Sequence, residues 1–362
     1  MSTVPNRVPP EVIFDRYFSG HPSPSLRQKY RGRLITVDFT DRILADAIEG
    51  IRDAINERFR ANSSGITSPH GEPIIHMDYL RSDEVSAFAF FHEGIAFIAL
   101  TSALLARLID ITSNLWRLNP LSDLLKVSLS SETRNYIAAT SLPIQMQIVS
   151  SHELGHIFHG HCGESGHPGL RVDSASDLRV QPEGEADNMR SQAMEVEADG
   201  YAAHMMLTNF FNGIGENLYR MLNPDLPKQE FILTYFLVEL GSLFYLWGPR
   251  IFDPQSARSY EHPPALMRMN VFMRDIEGWC SEHKPQLVHW GTLERFQQIM
   301  HCVSLANEET ADLKVWQRQG AFLVSDAGEH YIADLYKTRE KLRTDMDHLR
   351  WNLKPTNKAD LT

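Results

Sequence analysis

The chain has little cysteine: three residues in 362, at Cys162, Cys280 and Cys302. They are few, widely spaced and odd in number, which excludes a disulfide framework and fits a reducing compartment. An excess of basic charge is also missing. The formal net charge is -11, which argues against a broad nucleic-acid footprint and against attraction to anionic membranes. The opening stretch MSTVPNRVPPEVIFDRYF has no apolar run of the kind a secretory signal needs, so a cytoplasmic location is expected. One apolar run, Phe231 to Trp247 (FILTYFLVELGSLFYLW), is nearly long enough to span a bilayer. Glu239 sits in its middle, and Lys228 and Arg250 flank it on opposite sides, so neither side is marked as cytoplasmic. A buried core helix fits this run better, and no membrane span is expected.

What is present is the composition of an ordinary globular protein, 43% hydrophobic and 22% charged. The length allows a sizeable core in one or two domains. Five prolines before residue 25 mark 1–35 as an irregular N-terminal arm. From Leu34 a short strand leads into an amphipathic helix, with Ile43, Leu44, Ala47, Ile48, Ile51 and Ile55 at helical spacing. Val85 to Thr101 reads as two strands about a His92-Glu93-Gly94 turn, and the apolar run from Ala103 starts a helix. Segment 141–162 reads as helix. Segment 163–190, rich in Gly, Ser, Asp and Pro, reads as a long loop. Helices are expected at about 191–222, 228–248, 263–280, 291–305 and 329–352. Early strands followed by helices give an α+β, predominantly helical class. The expected division is a core over 36–280 and a helical C-terminal extension over 281–362. That extension carries no chemical motif, and its mixed charges suggest packing or partner recognition. Nothing in the sequence reports the oligomeric state.

The chemistry concentrates in Ser151-His-Glu-Leu-Gly-His-Ile-Phe-His159. His152 and His156 are four apart, so a helix places both imidazoles on one face, close enough to share a metal. Glu153 is rotated by about 100° from His152. It can reach a water on the metal without itself binding the metal. Zinc lowers the pKa of such a water to about 7, and the carboxylate can take its proton and later pass it to a leaving amine. The bland alternative is a chance HExxH on a histidine-bearing helix. Apolar neighbours Ile144, Ile148, Leu154, Ile157 and Phe158 argue instead for a buried, organised one.

A catalytic zinc usually has three protein ligands. Extension of the same helix to HExxHxxGxxH fails, because position 159 is histidine and position 162 is cysteine. Cys162 would be an unusual ligand. His159 lies on nearly the same face as His152 and could support the ligands or line the site. The other option is a glutamate from a second helix, followed one turn later by an aspartate that orients a ligand histidine. Two copies of that spacing occur, Glu183 with Asp187 in EGEAD and Glu195 with Asp199 in EVEAD. Glu183 lies between Pro182 and Gly184 in the polar loop. Glu195 sits on a surface formed by Met194, Ala198, Tyr201, Ala202, Met205 and Met206, which can hold a ligand rigidly. Glu195 is therefore the expected ligand, with Asp199 behind a histidine and Glu197 facing elsewhere.

At this point the chain resembles the gluzincin zinc metallopeptidases, the HExxH-plus-Glu class, and within them the HtpX/CaaX-protease or minigluzincin family. The segments Ser86-Ala-Phe-Ala89 and Ile95 to Leu108, HELGH, EVEAD and Glu261-His-Pro-Pro-Ala-Leu-Met-Arg268 resemble its successive motifs in order and spacing. Ser86 stands where the family usually has asparagine, and the expected absence of membrane spans departs from HtpX itself. The run GHIFHGHC gives a weaker resemblance to Lit-type phage-exclusion peptidases. The resemblance implies a gluzincin-like core with an active-site helix, a ligand helix and a small N-terminal sheet. It implies one Zn2+ on His152, His156 and Glu195, with Glu153 as general base and acid. His262 or Arg268 would stabilise the oxyanion, and the second strand of the 85–101 hairpin would pair with an extended protein or peptide substrate. An ordinary helix start is the plainer reading of His262-Pro-Pro. The implied function is a soluble zinc endopeptidase. The alternatives are a regulated or sensor metalloprotein of the same fold, with a role in phage defence, and a binding module whose HExxH is structural. Glu153 favours catalysis over the last, since a structural site needs no general base.

Overall fold

The computed structural model describes residues 8–35, 41–116, 119–128, 130–163, 185–246, 252–260, 262–289, 298–303 and 313–353. The chain is mostly helical with a small sheet, as an α+β class requires. It divides into two units: 1–106, 156–173 and 346–362 form the first, and 107–155 with 174–345 form the second.

The first unit corrects the expectation of an irregular arm. Helices α1 (Pro10–Ser19) and α2 (Pro24–Lys29) both lie within it. Each begins with proline, whose fixed φ and missing N–H suit the first helical position, so the prolines start helices rather than prevent them. Ser23 caps α2 by accepting from the Leu26 N–H. Helix α3 (Arg42–Asn62) is capped by Asp41, which accepts from Ile43 and Leu44. Its buried positions are Ala45, Ile48, Ile55 and Asn56, whereas Ile43 is 83% exposed. The helix thus turns a face slightly rotated from the sequence reading. Asn56 contributes because its amide pairs both ways with the Met77 backbone, at 2.8 and 2.7 Å.

Strand β1 (Ile66–Thr67) comes next, and then β2 (Ile75–Leu80), β3 (Ala87–His92) and β4 (Ile95–Thr101) form a sheet in the order β2-β4-β3. β3 and β4 are antiparallel and β2 is parallel to β4. The hairpin turn is the expected one, and Glu93 and Gly94 both have positive φ (50° and 78°), as a two-residue turn between right-twisted strands requires. Phe14 and Phe18 of α1 pack on Phe90 and Phe97 at centroid separations of 5.5–6.1 Å. Residues 31–34 cover the outer edge of β2, through Arg31 N–H to the Arg81 carbonyl and Leu34 N–H to the Tyr79 carbonyl.

Helix α4 (Ser102–Leu115) leads out of this unit, and α5 (Asn119–Leu125) follows. Helix α6 (Ser131–Phe158) carries the HExxH and starts well before residue 141. Pro143 lies inside it and donates no ladder bond, so local propensity does not disclose the upstream turns. Helix α7 (Glu185–Asn209) carries EVEAD. A π-helical turn (Phe210–Ile214) joins it to α8 (Gly215–Leu222). The apolar run forms α9 (Lys228–Leu246), almost wholly buried. Among the described residues no helix is long and apolar enough to cross a membrane. Helix α10 is Ala265–His283, and residues 298–303 are helical. Helix α11 (Leu313–Leu323) lay outside the sequence reading, and α12 (Asp326–Asp345) ends the second unit. The C-terminal region is not a separate extension. Residues up to 345 belong to the second unit, where Tyr331 donates to Gln192 of α7 (2.5 Å) and Arg343 pairs with Glu197 (3.0 Å). Residues 346–353 return to the first unit, where β5 (Asn352–Leu353) pairs with β1.

Candidate metal centre

Gly155 of α6 determines how closely α7 can approach. A Cβ there would lie 2.9 Å from both the Cα and the carbonyl oxygen of Ala198. Only glycine permits that contact. Ala198 is one turn from Glu195, so the close approach brings the carboxylate over the histidine face of α6. The division between the two units falls between Gly155 and His156. Both histidines nevertheless ride on one continuous helix.

His152, His156 and Glu195 are buried, and one ligand atom from each lies within 4.8 Å of the others, so the group could hold a metal ion. His152 Nε2 is 3.4 Å from Glu195 Oε2, and its Nδ1 is 2.9 Å from Asp199 Oδ1. Asp199 therefore takes the ring nitrogen that faces away from Glu195 and leaves Nε2 for an ion. Burial pushes the His152 pKa down, but hydrogen bonds to Asp199 and Glu195 outweigh it and push the value up to about 9. Burial raises the Asp199 carboxyl, and the nearby Arg268 and His152 outweigh that and hold it below its ordinary value.

Glu153 is fully buried beside the ligand set but is not one of its three members. Three buried carboxylates, Glu153, Glu195 and Asp199, thus face one buried guanidinium, Arg268. Two imidazoles and a carboxyl group brought within 4.8 Å of one another fit a metal by ligand type as well as by spacing.

Arg268 is held by the carboxylates of the site. Its Nε donates to Asp199 Oδ2 (2.5 Å), and its Nη2 donates to Asp199 Oδ1 (2.9 Å) and lies 3.3 Å from Glu195 Oε2. It fixes the carboxylates that fix the histidine. A further histidine, His161, places its Nδ1 2.8 Å from His156 Nδ1, and the His159 ring lies 5.8 Å from the His161 ring. The run GHIFHGHC held that signal, but spacing on a straight helix could not assign it. His161 falls beyond the end of α6, in a separate 3-10 turn.

His262 stands just before α10, with Nδ1 3.6 Å from Glu195 Oε2 and a side chain 14% exposed. Of the two residues considered for the oxyanion, it is the one not committed to Asp199. Cys162 is half-buried and outside the ligand set. Glu197 faces away from the site and pairs with Arg343. Glu183 lies outside the described residues, as does most of the 163–190 segment, whose last residues form the start of α7.

The second hairpin strand cannot pair with a substrate, because β4 is the central strand and is bonded on both sides. β3 is the edge strand instead. With His92 and Ile95 closing the hairpin, the backbone groups of Ala87, Ala89 and Phe91 point away from β4. Comparison with family models, with curated proteins and with solved structures gives no match in any of the three.

Proposed function

We propose that the chain is a zinc-dependent endopeptidase acting on extended protein or peptide segments. The observation that carries this reading is the buried set of His152, His156 and Glu195 with Glu153 next to its first member. Two imidazoles and one carboxylate are a donor set that suits catalytic zinc and leaves a fourth position open. Held by His152, His156 and Glu195, a zinc ion would supply Lewis-acid chemistry, lowering the pKa of water and polarising a carbonyl.

The chain's own residues do the rest. Glu153 takes a proton from the attacking water and delivers it to the leaving amine. His262, beside Glu195, donates to the oxygen on which negative charge develops. Asp199 and Arg268 keep His152 in one orientation throughout. The outward backbone groups of Ala87, Ala89 and Phe91 offer an extended segment an antiparallel partner.

A peptide library incubated with zinc-loaded wild type and with Glu153→Gln, read by mass spectrometry, tests this. Cleavage by the wild type is expected, slowed by about 10²–10⁴-fold in the variant, with zinc content unchanged. Equal cleavage by both proteins, or none by the wild type, would overturn the reading.

A further inference from the structure

We propose that His161 is a positioning residue for the metal, holding His156 through Nδ1 so that Nε2 is presented to the ion. The two Nδ1 atoms are 2.8 Å apart, and the residues are 1% and 4% exposed. A contact this short between two ring nitrogens needs one hydrogen between them, so one ring donates and the other accepts. A metal takes the lone pair of an imidazole whose other nitrogen carries the hydrogen. His156 is therefore the donor and His161 Nδ1 the acceptor.

The backbone is built to make this contact. Helix α6 ends at Phe158, and Gly160 (φ +80°) turns the chain back so that His161 returns over His156. A Cβ on Gly160 would lie 2.6 Å from Leu349 Cβ and 2.8 Å from its carbonyl carbon. Trp351 N–H donates to the Phe158 carbonyl at 3.0 Å. Residues 349–351 thus clamp the turn that carries His161. The two histidines face unlike partners: His152 the Asp199 carboxylate and His156 the ring of His161.

This inference rests on the metal reading of the site and is independent of hydrolysis. Its test is zinc affinity of the full chain, by competition with a chromogenic chelator. His161→Phe keeps a ring of similar size but removes the acceptor. His161→Asn places an amide oxygen close to the Nδ1 position. Affinity is expected to fall by about 10–100-fold in His161→Phe and to be largely restored in His161→Asn, with thermal unfolding of the zinc-free proteins confirming that both are folded. If His161→Phe does not fold, His161→Gln, whose amide reaches past the Nδ1 position, replaces it with the same expected loss. Wild-type affinity in a folded acceptor-less variant, or a loss in His161→Asn as large as in that variant, would overturn the inference alone. A wild-type chain that takes up no zinc would remove the metal reading together with it.

Discussion

Around His152 single residues act in a chain: Glu195 faces one ring nitrogen, Asp199 the other, and Arg268 grips Asp199. Removing the last link leaves the buried Asp199 without its bidentate guanidinium, with His152 as a remaining partner. Arg268→Met is therefore expected to destabilise the fold by about 3–5 kcal/mol, read by urea unfolding of the zinc-free protein. A loss under about 1 kcal/mol would mean that the pair is dispensable. The pairing of His152 with His156 was legible because a four-residue spacing on a helix fixes direction. Glu195 joins them in one buried group, while Glu183 lies outside the described residues. The destination of Arg268 was not legible. Its partner is 69 residues away in sequence, and the guanidinium could equally have served a substrate.

Among the elements, the contact between α6 and α7 matters most for the site. Gly155→Ala would push a methyl into the Ala198 backbone. An overpacking cost of about 1–3 kcal/mol is expected, with weaker zinc binding because the carboxylate moves with its helix. A variant with unchanged stability and affinity would show that the approach is not limiting. The hairpin was legible from alternation and its turn. The place of β4 in the sheet was not, because pairing with β2 depends on a parallel contact that no local pattern encodes. Helices α1 and α2 were hidden by prolines that begin helices as readily as they break them.

At the scale of the whole chain, α9 is almost wholly buried in the second unit, and Glu239 is a buried acidic residue within it. Ser141 donates to it at 2.5 Å and Gln145 at 3.1 Å, and burial pushes its pKa up to about 7 from an ordinary 4.5. A carboxyl raised in the folded state stabilises the fold below its unfolded value and loses that contribution as pH rises through its folded value. Between pH 4.5 and about 7 stability should therefore fall with rising pH, and Glu239→Gln should flatten that slope in thermal unfolding. An unaltered slope would show that other groups set it. The return of residues 346–353 to the first unit was beyond sequence reasoning, because β1 and β5 are two-residue strands with no periodicity to read. One metal per chain on His152, His156 and Glu195 is tested by zinc content, read by elemental mass spectrometry after extensive dialysis of wild type and Glu195→Ala. About one zinc per chain is expected in the wild type, as for a site of three protein ligands with a fourth position open, and far less in the variant. A wild type without zinc, or a variant that retains it in full, would contradict the assignment.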